Sequence, residues 1–293
     1  MKTLFSIAKF RGRVTRRALP CYYSYMLLTV DTGGTKTLLA GFDHDGKPEG
    51  EFRFETPHDP DEYISTLTDA IHEHFGGRAF DGVVIAVPGM VRDNVAYWCP
   101  NLKWSNVDIA TFIKPIVGCP VWLENDANLA GLAETRSLPL LPPLSLYITV
   151  STGIGAGIIT NGQIDPELSS SEAGHMLLEY KGALREWEEF ASGRAIREIY
   201  GKFARDIHDK KTWNEIADKI SCGLLTLIPV LQPAVLIIGG SIGTYFDQYA
   251  PHLREKLRLH MPSHIKVPEI RQAAHPEEAV LYGCYYYGKD QLA

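Results

Sequence analysis

What the chain lacks narrows the field first. There is no CxxC pair, and the five cysteines (Cys21, Cys99, Cys119, Cys222, Cys284) are far apart and odd in number. That is the usage of a reducing compartment, so a disulfide scaffold is excluded and the cytoplasm is the expected location. No P-loop occurs, since GxxxxGK[ST] has no match. No uninterrupted apolar run is long enough to cross a bilayer. The most apolar stretch, Gly223 to Ile238, contains Pro229 and Pro233 and reads as a packed helix followed by a strand. With 45% hydrophobic, 10% aromatic and 22% charged residues, the chain is neither low-complexity nor fibrous.

Basic charge is scarce where a nucleic-acid surface would need it. Residues 1–26 hold six bases (Lys2, Lys9, Arg11, Arg13, Arg16, Arg17) and no acid, which leaves 23 bases against 35 acids in the rest of the chain. So acidic a body has no clustered cations with which to displace counterions, and neither nucleic acid nor membrane is an expected partner. An anionic ligand must instead be held locally, by backbone N–H groups and a metal. The basic segment superficially resembles a transit peptide, but Met26 directly before the first strand favours an upstream extension or a disordered arm. It is too short for a helix-turn-helix domain, which needs about three helices.

The 293 residues suit two lobes. An internal echo supports this. Thr29-Val30-Asp31-Thr32-Gly33 recurs as Thr149-Val150-Ser151-Thr152-Gly153, each copy leading through small residues into an apolar run and a turn. The first copy predicts a strand over Leu27 to Val30, a turn over Thr32 to Lys36, a strand over Thr37 to Phe42 and a turn at Asp45-Gly46. The second predicts Leu146 to Val150, Ser151 to Gly155, Ala156 to Thr160 and Asn161-Gly162 in the same roles. Asp59-Pro60 opens a helix whose Tyr63, Leu67, Ala70, Ile71 and His74 share a face. Further strands are expected over Val83 to Val87, Val121 to Leu123, Val235 to Ile238 and Ile265 to Ile270. Helices are expected over Ala127 to Glu134, Ala195 to Ile207, Trp213 to Leu227, His252 to His260 and Glu277 to Tyr286. Buried strands alternating with helices make an α/β protein with a cleft between similar lobes.

Several short segments carry chemistry. Gly33, Gly34, Thr35 and Lys36 offer unobstructed backbone N–H groups, a hydroxyl and an ammonium, as a phosphate chain requires. Asp31 could hold a hydrated Mg²⁺ against the same phosphates. Thr152 and Gly153 supply a comparable nest, and Gly239-Gly240 could pass under an adenosine or be a plain strand-to-helix turn. Asp126, in Glu124-Asn125-Asp126-Ala127-Asn128, has two readings: a helix cap, or a general base with Asn125 orienting the alcohol. Glu172 and His175 could chelate sugar hydroxyls or form a capped turn with a satisfied core histidine. Asn101 is equally open.

Taken in order, these segments resemble the ROK (repressor, open reading frame, kinase) family from about Leu27 to Tyr287. The resemblance implies a two-lobed actin-like, ribonuclease H-like ATPase fold, with residues 27–123 and a closing helix 277–290 in one lobe and 124–276 in the other. It also implies an ATP-dependent kinase acting on a hexose or N-acetylhexosamine, of glucokinase or N-acetylmannosamine kinase type, and a homodimer. By resemblance, Asp126 is the catalytic base. Gly89, Asn101, Asn125, Glu172, His175 and Glu188 contact the sugar. Asp31, Gly33, Gly34, Thr35, Lys36, Thr152, Gly153, Gly239 and Gly240 hold ATP and Mg²⁺. The family's CxCGxxGCxE zinc motif is not retained: Glu179, Lys181 and Glu186 stand where its cysteines should be. Those side chains cannot form a closed thiolate site, so no structural zinc is expected. The alternatives are a non-catalytic sugar-responsive regulator and a phosphotransferase acting on another small alcohol. Some relatives use polyphosphate as the donor.

Overall fold

The structure, a computed structural model, describes residues 26–275 and 278–293. The arm read in residues 1–26 therefore lies outside the described residues except for Met26, as does the helix start expected at Glu277.

The first sheet is built from a meander and two crossovers. β1 (Met26–Thr32), β2 (Lys36–Asp43) and β3 (Pro48–Glu55) are antiparallel neighbours. Helix α1 (Pro60–Phe75) is capped by the Asp59 carboxylate, which accepts the N–H groups of Asp61 and Glu62. It leads into β4 (Gly82–Val87), parallel to β1. A small antiparallel sheet follows, of β5 (Met90–Arg92), β6 (Val95–Cys99) and β7 (Trp104–Val107). Helix α2 (Ile109–Val117) then precedes β8 (Val121–Asn125), parallel to β4. The order is β3-β2-β1-β4-β8.

The second sheet repeats that plan. Helix α3 (Asp126–Arg136) crosses to β9 (Leu144–Val150), β10 (Ile154–Thr160) and β11 (Gln163–Ile164), again an antiparallel meander. The hairpin of β12 (Leu177–Tyr180) and β13 (Ala183–Glu186) leads through α4 (Trp187–Ala191) and α5 (Gly193–Tyr200) to α6 (Lys210–Leu231). Strand β14 (Val235–Gly239) is parallel to β9. It is followed by α7 (Gly240–Gly243), α8 (Phe246–His260) and β15 (Glu269–Gln272), and the chain closes with α9 (Ala279–Gln291). The order, β11-β10-β9-β14-β15, is that of the first sheet strand for strand. The echo read in the sequence is therefore a repeated topology, and the architecture is the two-lobed actin-like fold.

The sheets are joined by helices rather than by strands. α9 packs on β1 and β4, α3 packs on β9 and β10, and the two helices pack on each other. The Glu134 carboxylate of α3, 2% exposed, accepts the N–H groups of Ala274 and His275 at 2.7 Å each, and Arg136 pairs with Asp290. The buried Glu134 bonds hold the segment that leads into α9, and the partly exposed Arg136–Asp290 pair ties α3 to α9 itself, at the contact where one lobe meets the other. Each sheet has its own core: Trp187, Trp213 and Tyr249 are buried behind the second, Tyr63 and Trp104 behind the first.

Four readings are corrected. The helix expected over Ala195 to Ile207 stops at Tyr200, because Gly201 takes the left-handed conformation (φ 64°) and closes it onto the Arg197 carbonyl. The strand expected over Ile265 to Ile270 runs instead from Glu269 to Gln272, where it pairs with β14. His74 is exposed and stacked on Phe52, with ring centroids 3.5 Å apart; Phe75 takes the core position. α8 begins at Phe246, not His252. Among the described residues, no helix is long and apolar enough to cross a membrane.

Candidate active site

The first glycine turn joins β1 to β2. Its carbonyls are used within the chain: Gly33 O accepts the Thr56 hydroxyl (2.8 Å), Thr35 O accepts the Thr56 N–H (3.0 Å), and the His58 ring donates to Gly34 O (3.2 Å). Below it, the hydroxyls of Thr32 and Tyr63 bond at 2.7 Å and those of Thr37 and Thr56 at 2.9 Å. The N–H groups of Gly34 and Thr35, by contrast, donate to no described residue. They remain available to an anion. Asp31 stands at the end of β1, and its carboxylate accepts no hydrogen bond from any described residue. Burial, reinforced by the nearby charge of Asp126 and opposed by Arg53, pushes its pKa up to about 7.

The second turn, between β9 and β10, is held differently. Ser151 O accepts the Gly193 N–H at 2.6 Å, and Ile154 N donates to the Glu188 carboxylate at 3.2 Å. The N–H groups of Thr152 and Gly153 are again unused by described residues. Glu188 presses on this turn so closely that a Cβ on Gly153 would lie 2.6 Å from its Oε2. Ser151, Thr152, Gly193, Gly240 and Ser241 line a cavity of about 1050 Å³. Gly240 thus faces this space, whereas Gly239 is packed against the Tyr147 ring.

Asp126 lies where β8 passes into α3. Asn125 is the cap: its Oδ1 accepts the Asn128 N–H at 3.0 Å, and its Nδ2 donates to Gly89 O at 3.0 Å. One donor and one acceptor of the amide expected to orient an alcohol are engaged within the chain and a second N–H is left, while the capping role considered for Asp126 belongs to its neighbour. The Asp126 carboxylate, first in the helix, accepts the N–H of Ala127 at 2.8 Å. Burial raises its pKa to about 6 against that bond and its own backbone N–H. Gly89, at φ 152°, lies beneath the backbone of Trp98 and Cys99, where any side chain would collide.

Within electrostatic reach of Asp126 is Glu172, itself near His175. Burial raises the Glu172 pKa, with His175 opposing and Asp126 reinforcing. His175 Nδ1 donates to Glu186 Oε2 at 2.8 Å, and its ring meets Trp98 edge-on at 5.2 Å between centroids. Burial works against the imidazolium, but the Glu186 hydrogen bond and the Glu188 and Glu172 carboxylates outweigh it, and the His175 pKa is raised. Ligand atoms of His175, Glu186 and Glu188 lie within 4.8 Å of one another. This set contains no thiolate and does not fit the family's closed zinc site. Glu186, at a position where that motif has cysteine, engages His175 directly.

The structure therefore brings Asp31, Asp126, Glu172, His175 and Glu188 each within electrostatic reach of the next, sets Glu188 against Gly153, and places Thr152 and Gly240 on the wall of the adjoining cavity. Asn101 is exposed beside the first turn, its Cβ 3.9 Å from where a Gly34 Cβ would stand. Thr35 and Lys36 are exposed at the turn's tip. Two residues beside this cluster, Trp98 and Arg194, were not singled out from the sequence, and Glu186 was noted only as standing where the zinc motif has cysteine. Arg194 pairs with Glu188 at 3.1 Å, and its only local signal is its place directly after Gly193.

The same cleft-bearing architecture occurs in known proteins. A beta-glucoside kinase of Listeria innocua is 30% identical over 236 residues, covering 70% of this chain and 78% of that protein. A ROK family glucokinase from Streptomyces griseus, solved with glucose and AMPPNP, superposes with a TM-score of 0.75 at 22% identity, covering 90% of this chain and 99% of that one. An inorganic polyphosphate/ATP-glucomannokinase from Arthrobacter superposes with a TM-score of 0.70 at 27% identity, over 91% and 99% of the two chains. A model of the ROK family matches residues 27–291, nearly the whole described chain, and with that match this protein belongs to the ROK family.

Proposed function

We propose that this chain is an ATP-dependent sugar kinase that phosphorylates the primary hydroxyl of a hexose or N-acetylhexosamine. The observation that carries the reading is the division of labour at the start of α3. Asn125 caps the helix, so the Asp126 carboxylate is left with backbone donors alone, those of Ala127 and its own residue. An acid with its pKa raised to about 6 is ionised at neutral pH yet basic enough to take a proton from an alcohol.

Sugar held by Glu172, His175 and Glu188 would present its hydroxyl to Asp126. The open N–H groups of Gly34, Thr35, Thr152 and Gly153 would receive the donor phosphates, with the nucleoside in the 1050 Å³ cavity. Asp31, whose carboxylate is otherwise unpartnered, fits a hydrated Mg²⁺, which would supply countercharge to the phosphates. Residues 27–123 with the closing helix form one jaw and 124–276 the other, and closing them excludes water from the transfer. The assembly this reading carries is a cytoplasmic homodimer, which light scattering tests.

The test is an ADP-release assay over glucose, mannose, fructose, N-acetylglucosamine and N-acetylmannosamine, with ATP and with polyphosphate as donors. Sugar-dependent ADP release is expected with at least one of the five. Asp126→Asn should lose at least about 100-fold in kcat while a thermal shift still reports sugar binding. Sugar-induced stabilisation without turnover in the native protein would instead establish a regulator, and native-like turnover in Asp126→Asn would remove the base assignment.

A further inference from the structure

Glu188 faces two ways. One carboxylate oxygen accepts the Ile154 N–H at the exit of the second turn, and the other accepts from Arg194 Nη2 at 3.1 Å. Its side chain is only 15% exposed and lies beside His175, within the cluster assigned to the sugar. Arg194 is 49% exposed and lies on the wall of the large cavity with Ser151, Thr152 and Gly240. A guanidinium in the donor cavity is therefore tied to a carboxylate of the sugar cluster. The cavity's other two arginines are occupied elsewhere. Arg197 and Arg205 lie over the Phe203 ring, 4.4 and 4.9 Å from its centroid, and neither reaches the cluster. Glu198 is the cavity's one carboxylate.

The chemistry of the pair makes it exchangeable. A half-exposed ion pair is weak, because water screens it. A sugar hydroxyl donating to Glu188 spends carboxylate lone pairs and weakens its hold on the guanidinium. A polyphosphate chain entering over Thr152 and Gly153 offers Arg194 a more highly charged partner that matches its planar fork. Only side-chain torsions separate the two arrangements.

We propose that Arg194 couples the two substrate sites: Glu188 holds it while the sugar site is empty, and a bound sugar releases it to the terminal phosphates of the donor. The inference rests on the sugar-kinase reading. Linkage makes the coupling reciprocal, so whatever factor the sugar adds to donor affinity, the donor adds to sugar affinity.

AMPPNP binding is measured by calorimetry with and without the most active of the five sugars, beside steady-state kinetics with ATP. The native protein should bind AMPPNP about 5- to 150-fold more tightly with sugar present. Arg194→Ala should bind it equally with and without sugar and show an ATP KM raised about 10- to 100-fold, while Arg194→Lys recovers part of the difference. Glu188→Gln supplies the opposite sign. With the guanidinium released, AMPPNP affinity without sugar should rise toward the value the native protein reaches with it, an increase that structural damage would not produce. Arg197→Ala should lower AMPPNP affinity by the same factor in both conditions. Sugar enhancement that survives in Arg194→Ala, or is absent from an active native enzyme, overturns the coupling and leaves the kinase reading intact. A native protein that phosphorylates none of the five sugars overturns both.

Discussion

Around Gly33 the hairpin turn is propped by hydroxyls; around Gly153 it is propped by charges. The two turns occupy equivalent places in sheets of identical strand order, yet their supports differ in kind. Beneath the first, Thr56 bonds Gly33 O and pairs with Thr37, and Thr32 pairs with Tyr63, all neutral and all from its own lobe. β1 continues through Asp31 to Thr32 before turning, so the aspartate is presented from a strand end. The second strand stops at Val150. Ser151, the residue that echoes Asp31, is already in the turn, where its carbonyl accepts the first N–H of α5. The charges there arrive from α4 and α5 as Glu188 and Arg194. A repeated backbone has thus been given two chemistries: one turn carries its own carboxylate, and the other borrows a carboxylate that also faces His175 and Arg194.

The largest expected consequence is at the echoed pair itself. Asp31→Asn should lower kcat on the order of 100-fold, as loss of a preorganised electrostatic group does, whereas Ser151→Ala should change it less than about threefold. Equal losses would show that the two turns serve the phosphates alike. The pH dependence of kcat/KM separates the carboxylates further. With Asp31 raised to about 7 and Asp126 to about 6, activity should fall with unit slope as pH drops below 7 and more steeply below 6. The sign follows from the proposed roles, with protonation neutralising first the carboxylate assigned to the phosphates and then the one assigned as base. Asp31→Asn should remove the upper break and leave the lower one.

Gly153→Ala should act through Glu188. Its Cβ would displace the carboxylate from the Ile154 N–H, so the sugar KM should rise by about tenfold, the cost of one charge-assisted bond, and by more than the ATP KM. A change confined to ATP would place Glu188 outside the sugar site. The smallest effect is on the neutral props. Thr56→Val keeps the shape and deletes two hydrogen bonds, so thermal unfolding should report a loss of about 1–2 kcal/mol with kcat little altered.

Legibility followed the range of the interaction that decided each feature. The paired hairpins, α1 and the continuous apolar strand β4 were readable because alternation, a capping Asp-Pro and an unbroken apolar run act within a few residues. β3 was not, because its first half, Pro48-Glu49-Gly50-Glu51, has little strand propensity and the edge strand is held by pairing with β2. The small sheet of β5 to β7 was missed too, and with it the place of Trp98 against His175. At the site, the residue types were legible and their duties were not. Asn125 and Asp126 are adjacent and either can cap a helix; only the position of Gly89 O, which engages the Asn125 amide, decides between them.

The sequence alone determined the two hairpin-led halves, the acidic body and the identity of the polar residues offered to the cleft, since these depend on composition and short-range pattern. The tertiary structure alone decided that Glu188 lies against Gly153 and Arg194, that Glu186 holds His175, and that α3 and α9 join the lobes. Each of those contacts sets a carboxylate or a helix face by through-space packing against residues distant in the chain. Coulomb and hydrogen-bond energies depend on separations of a few ångström, which no local pattern specifies.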